Sequence, residues 1–171
     1  PSDILLAGSV IVLQNNVQST TRQTVVDYDR GDRISATFAI AMSRAFWATG
    51  TSTLHAGALE MYPTKKWGRN YTVPVGENFY TTSQDPFEYT AAFIMAKSNN
   101  TLVQIDADNN GSYEASVTLQ QGGSHLVSGL RTGAKITASS DVQVDLGTGD
   151  LCDNYESRFY VLFPNELWSN T

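Results

Sequence analysis

Asp106, Asp108, Asn110 and Glu114 crowd into the nine-residue stretch DADNNGSYE, with Gly111 among them. Oxygen-bearing side chains on alternate positions of a tight loop can point inward together, and hard cations take oxygen ligands. Counted from Asp106, the donors fall at positions one, three, five and nine, Ser112 at seven would add its backbone carbonyl, and the glycine at six permits a sharp turn. Three carboxylates suit a divalent ion. The sequence therefore predicts a structural calcium site at Asp106, Asp108, Asn110, Ser112 and Glu114, with a dissociation constant of about 10⁻⁴ to 10⁻³ M, as in extracellular modules. The competing expectation is a plain hairpin turned at Asn110-Gly111 in type I′ geometry, its polar residues facing water.

A helix-loop-helix site is excluded, because position twelve is Val117 where a bidentate Glu belongs, and the flanks TLVQID and YEASVTL read as strands. What remains resembles the loop of integrin-type β-propeller repeats, with Glu114 in place of the final Asp.

Other chemistry is sparse. The two histidines, His55 and His125, belong to no zinc motif, and there is no Gly-x-Ser-x-Gly elbow. Ser124 and His125 are neighbours, so on a strand they point to opposite faces and form no nucleophile-base pair. Cys152, alone, reads as a small buried hydrophobe rather than a nucleophile. Asp145, Asp150 and Glu156 could form an acid pair, yet polar loop ends produce the same scatter. Arg30-Gly31-Asp32 invites an integrin reading, but turn chemistry explains its glycine. The aromatics, among them Trp47, Tyr62, Trp67, Tyr71, Tyr80, Tyr155, Tyr160 and Trp168, keep open a glycan ligand stacked on exposed rings. For Tyr62, Trp67 and Trp168, core or junction packing is the better expectation.

The elements that must position the loop are strands. ILLAGSVIVL, QTVVDY, RISATFAIAM, EYTAAFIMAK, TLVQID, YEASVTL, AKITAS, VQVDL and RFYVLFP are short, rich in β-branched and aromatic residues, and bounded by Gly, Asn, Asp or Pro. FAIAMSRAFW could carry a helical turn that Gly50 ends. In YEASVTL, Tyr113, Ala115, Val117 and Leu119 alternate with polar residues, the pattern of a sheet with one face on a core and one in water. The fold class expected is all-β, an antiparallel β-sandwich, Ig-like or jelly-roll-like.

Internal similarity adds an organisation. GDRISAT at Gly31 matches GAKITAS at Gly133, an offset of 102, and YPTKKW ending at Trp67 matches FPNELW ending at Trp168, an offset of 101. LQNN at Leu13 matches LQQG at Leu119 more weakly. A duplicated unit of about 100 residues, the size of a small β-sandwich, follows. Residues 1-63 then form the later part of a first repeat, 64-165 a complete second one, and 166-171 the start of a further unit or a tail. The alternative is one fused sandwich domain over 1-171. Either the chain is a slice of a tandem array or it is a filament subunit whose open edge accepts a strand from a neighbouring copy.

A net charge of -6 with scattered Lys and Arg argues against nucleic acid, which needs clustered cations. The apolar run ILLAGSVIVL spans ten residues where a membrane helix needs roughly 20, so no membrane insertion is expected. Asn-x-Ser/Thr triplets at Asn70, Asn99 and Asn110 would permit glycosylation outside the cell.

From Val103 to Pro164 the sequence resembles modules related to the IgG-Fc-binding protein N-terminal domain, repeated in surface proteins of bacteria and archaea. The acidic-glycine hairpin, VTLQQG, Gly133 before a strand and the closing aromatic-Pro carry the likeness. It implies an extracellular or cell-surface β-sandwich with no enzymatic activity, serving adhesion or architecture. A structural or adhesive unit of a surface protein, fibre or filament is thus the first expectation, stabilised by calcium and self-associating with identical copies or neighbouring repeats. A carbohydrate-binding module, with a glycan or host-surface ligand, is the second, and a β-sandwich hydrolase the third.

Overall fold

The computed structural model describes residues 4–14, 31–47, 56–79, 87–149 and 158–169. Two compact units divide the chain, Pro1–Arg30 and Gly31–Thr171. In the first, ILLAGSVIVL is not a strand. Gly8, at φ +82°, turns the backbone, and Ser9 donates both its N–H and its hydroxyl to the Leu6 carbonyl at 3.0 and 2.6 Å. A serine that bonds its own backbone competes with extended structure, which is why the apolar run fails to form a ladder.

In the second unit the described residues form nine strands: β1 Ser43–Trp47, β2 Ala56–Glu60, β3 Gly68–Thr72, β4 Tyr89–Ala96, β5 Thr101–Asp106, β6 Ala115–Leu119, β7 Ser124–Ser128, β8 Lys135–Gly149 and β9 Arg158–Val161. All their pairings are antiparallel. β1 and β2 make a separate hairpin, and the other seven share one sheet organised around β8.

β8, 15 residues long, explains the architecture. Its first part pairs with β5 and β3, its last part with β4 and β9. Opposite Arg69 the ladder steps from Thr137–Asn70 to Val142–Gly68, a bulge of the kind that carries a strand round a corner. The result is all-β and sandwich- or barrel-like, with β6-β5-β8-β3 on one side and β7-β4-β8-β9 on the other.

Alternation sets the core. Val103 and Ile105 of β5, Ile136 and Ala138 of β8 and Leu119 of β6 meet Ala92, Ile94 and Ala96 of β4 and Val142, Val144 and Leu146 of β8, with Tyr71, Val73 and Leu130 closing the ends. Burying an Ile or Leu side chain contributes roughly 1.5–3 kcal/mol, so this cluster dominates stability. Every fully buried member lies between Tyr71 and Leu146. The Tyr71 hydroxyl sits inside it, accepting the Gly68 N–H at 3.0 Å and donating to the Val142 carbonyl at 2.5 Å. Burial pushes its phenol up to about 12.

The expected strands EYTAAFIMAK, TLVQID and RFYVLFP are present as β4, β5 and β9, YEASVTL is one from Ala115 onward, and AKITAS with VQVDL is a single strand. RISATFAIAM is not a strand: residues 31–42 are irregular and mostly exposed, Phe38 at 86%. GDRISAT and GAKITAS therefore share the left-handed Gly31 (φ +88°) and Gly133 (φ +87°), while only the second continues into a ladder. Duplication of the whole unit is not shown. QTVVDY lies outside the described residues.

Candidate metal centre

Asp106 ends β5 with 2% of its surface exposed. Beyond it the chain must travel to β6 without a ladder, and its own side chains supply the missing partners. The Asp106 carboxylate accepts the N–H of Asn110 on Oδ1 and of Gly111 on Oδ2, each at 3.0 Å. Asp108 Oδ1 accepts the same Asn110 N–H at 3.1 Å, and Asn110 Oδ1 accepts the Ser112 N–H at 2.7 Å. Glu114 reaches back with both oxygens, accepting the Ala107 N–H at 2.6 Å and the Asn110 side-chain amide at 3.3 Å. Its own N–H donates to the Ile105 carbonyl at 3.0 Å, which starts β6. Such short-range carboxylate and amide bonds favour turns over ladders.

Positive φ falls on Asn109 (62°) and Gly111 (90°), and not on Asn110. Type I′ geometry needs it at both central residues, so the plain Asn110-Gly111 hairpin is not what forms. A wider loop, tied by its acids, forms instead. Asn109 fills the space over Gly133, where a Cβ would come 2.5 Å from the Asn109 amide.

The loop brings one carboxylate oxygen each from Asp106, Asp108 and Glu114 within 4.8 Å of one another. Asn110 is bonded to Glu114, and Ser112 to Asn110, so all five predicted residues stand in one network. Lys135, opposite Asp106 across the ladder, makes no ion pair. An all-oxygen donor set of three acids fits a hard cation. Each carboxylate offers about four lone-pair sites, and the N–H bonds use only part of that capacity.

Elsewhere the structure separates what the sequence left open. Ser124 and His125 are successive residues of β7, opposite Met95 and Ile94 of β4, and burial pulls the His125 imidazole down. His55, Cys152, Asp150, Glu156 and Arg30 lie outside the described residues. Burial raises the carboxyl of Asp145, which Gln143 bonds through both its oxygens at 2.9 and 3.2 Å. Asn70, a glycosylation triplet, instead donates to Glu166 at 2.6 Å.

One cluster had no sequence signal. At the β8 bulge, Asp141 pairs with Lys97 at 2.7 Å and Arg69 at 3.3 Å; the Lys97 hydrogen bond holds its carboxyl below the ordinary range. A shallow cavity of about 250 Å³ opens beside it, between Trp67, Arg69 and Glu166. Residues 72 apart cannot be matched by local pattern, and nothing in SSDV announces a bulge.

A family described as IgGFc binding protein matches residues 9–171. The chain belongs to this family. The family is a binding family of the secreted or surface type and not a family of enzymes, in keeping with the resemblance read from the sequence. Among the described residues no helix is long and apolar enough to cross a membrane. Neither the curated proteins nor the solved structures compared with the chain give a match.

Proposed function

We propose that the chain is a non-enzymatic structural or adhesive unit of a surface protein, presenting a β-sandwich to protein partners, and that calcium bound by Asp106, Asp108, Asn110, Ser112 and Glu114 stiffens its β5–β6 loop. The observation that carries the calcium reading is the convergence of three carboxylates within 4.8 Å, none of them in an ion pair. Like charges held so close repel, and a divalent ion removes that cost while adding ligand bonds. The ion's role is architectural: β5 is the central neighbour of β6 and β8, so a fixed loop fixes the register of that side. The family name supports a protein ligand.

Thermal unfolding tests the ion. With a dissociation constant of about 0.5 mM, about 10 mM calcium stabilises the fold by about 1.8 kcal/mol, or roughly 4–7 °C in a chain of this size. Asp108→Ala lowers the melting temperature in calcium and leaves it nearly unchanged in chelator. Equal melting temperatures of the unsubstituted protein with and without calcium remove the ion from the account.

A further inference from the structure

The β1–β2 and β8–β9 hairpins have the same register. Shifting the first strand by 102 and the second by 101 turns Ser43–Glu60, Arg44–Leu59, Ala45–Ala58 and Phe46–Gly57 into Asp145–Val161, Leu146–Tyr160, Gly147–Phe159 and Thr148–Arg158, which are the observed pairs. The hydrogen bond after each ladder, Met61 N–H to Met42 and Leu162 N–H to Val144, is 2.9 Å in both. Each hairpin then runs through a proline (φ -65°, ψ 150° at Pro63; -61°, 145° at Pro164) into one turn of 3₁₀ helix, Thr64–Lys66 or Asn165–Leu167. Each turn ends on a tryptophan whose indole N–H donates to the carbonyl before the proline, Trp67 to Tyr62 at 3.1 Å and Trp168 to Phe163 at 3.3 Å.

What the two turns hold differs. The second clasps the opening of β3. Pro164 is buried against Gly68, where a Cβ would come 2.3 Å from the proline ring, Glu166 accepts the Asn70 amide at 2.6 Å and the Arg69 N–H at 3.4 Å, and Asn165 donates to Thr72 at 3.1 Å. In the first turn, Pro63, Thr64, Lys65 and Lys66 are all exposed. Lys65 stands where Glu166 stands, and neither Lys65 nor Lys66 has an ion pair.

We infer that the Pro63–Lys66 turn is a second clasp, open in this chain, whose occupant is the opening strand of another unit of the same fold, beginning with glycine and carrying a carboxylate at the next position or the one after. Glycine is required because the proline leaves no room for a Cβ. The carboxylate follows from charge: Lys65 in place of Glu166 reverses what the clasp prefers. A second copy of this chain is the wrong partner, since its opening strand offers donors, the Asn70 amide and the Arg69 N–H, and no carboxylate to Lys65, and is already held by Glu166. This rests on reading the chain as one unit beside like units, and is independent of calcium.

Amide spectra of the isotope-labelled protein titrated with two heptapeptides test it: Gly-Arg-Asn-Tyr-Thr-Val-Pro, which is residues 68–74, and the same peptide with Asp in place of Arg. At about 1 mM peptide, the weak end of specific binding, the acidic peptide shifts the amides of residues 64–67 and binds about fivefold tighter than the basic one, the scale of an exposed ion pair. Lys65→Glu inverts the order, with unchanged β3–β9 resonances as the folding control. No shift at residues 64–67 with either peptide, equal binding of both, or an order that Lys65→Glu leaves alone overturns the inference. So does sedimentation showing a dimer that Lys65→Glu strengthens, which would make a second copy the occupant. A calcium-dependent melting temperature together with a failed titration leaves the proposed function standing and removes only the clasp.

Discussion

β1–β2 and β8–β9 have one ladder register and one closing turn, yet they live in different surroundings. β8 runs through the core, flanked by β3, β4 and β5, whereas β1 and β2 pair only with each other among the described residues. The difference teaches that backbone hydrogen bonding and a proline-tryptophan turn suffice to write a hairpin, while burial depends on strands brought from elsewhere. β2 lies against β9, with the Tyr62 and Phe163 ring centroids 5.0 Å apart, but a two-stranded ribbon contributes little stability of its own. Nine residues before Ser43 and Asp145 the contrast widens, since Ile136 is fully buried and its sequence match Ile34 is 45% exposed.

That pair gives the largest expected effect. Ile136→Ala costs about 2–5 kcal/mol through lost burial and a residual cavity, and Ile34→Ala stays within about 0.5 kcal/mol; denaturant titration of both variants measures it. Similar costs would mean that residues 31–42 bury their apolar side chains in solution, and the contrast would fail.

Tyr71→Phe comes next. It strips the Gly68 N–H and the Val142 carbonyl of their shared partner, for about 1–3 kcal/mol, at the point where β3 is tied to β8. The pH profile sharpens this. A phenol raised from 10 to about 12 by burial contributes stability that is complete below pH 10 and lost as pH rises through 12. Over that window the change is about 3 kcal/mol, and Tyr71→Phe removes it.

Asp141→Asn gives the smallest effect, about 0–1 kcal/mol, because its pairs with Lys97 and Arg69 are partly exposed. Its carboxyl is held low by Lys97 first, so whatever stability it lends is present above the ordinary carboxylate range and lost as pH falls through the lowered value. Salt weakens it further. Melting curves at low and high salt separate this contribution from the core's.

Much of the core and of the loop was legible in the sequence. β4, β5 and β9 announce themselves through β-branched and aromatic runs, and β6 through strict alternation, since burial on one face imposes a period of two. The five loop residues stand together because their signal is local, each bonding a neighbour within seven positions. What could not be read is non-local. β1 (SRAFW), β2 (AGALE) and β3 (GRNYT) lack β-branched runs and owe their state to partners. Conversely, ILLAGSVIVL and RISATFAIAM have strand composition without a strand to pair with in the described structure, and composition alone does not make a ladder. The competing type I′ turn at Asn110-Gly111 does not form for a related reason: Asp106, Asp108 and Glu114 capture backbone N–H groups that a two-residue turn would leave to water.

Hydrogen exchange at two matched amides separates the two hairpins most directly. Leu162 N–H and Met61 N–H make bonds of equal length, 2.9 Å, at the same place in their hairpins, but Leu162 packs on the core. Leu162 is expected to exchange at least about 100-fold more slowly than Met61, because it opens with the sandwich and Met61 opens with the β1–β2 ribbon. Equal protection at the two positions would contradict it, showing that both hairpins are closed over cores of their own.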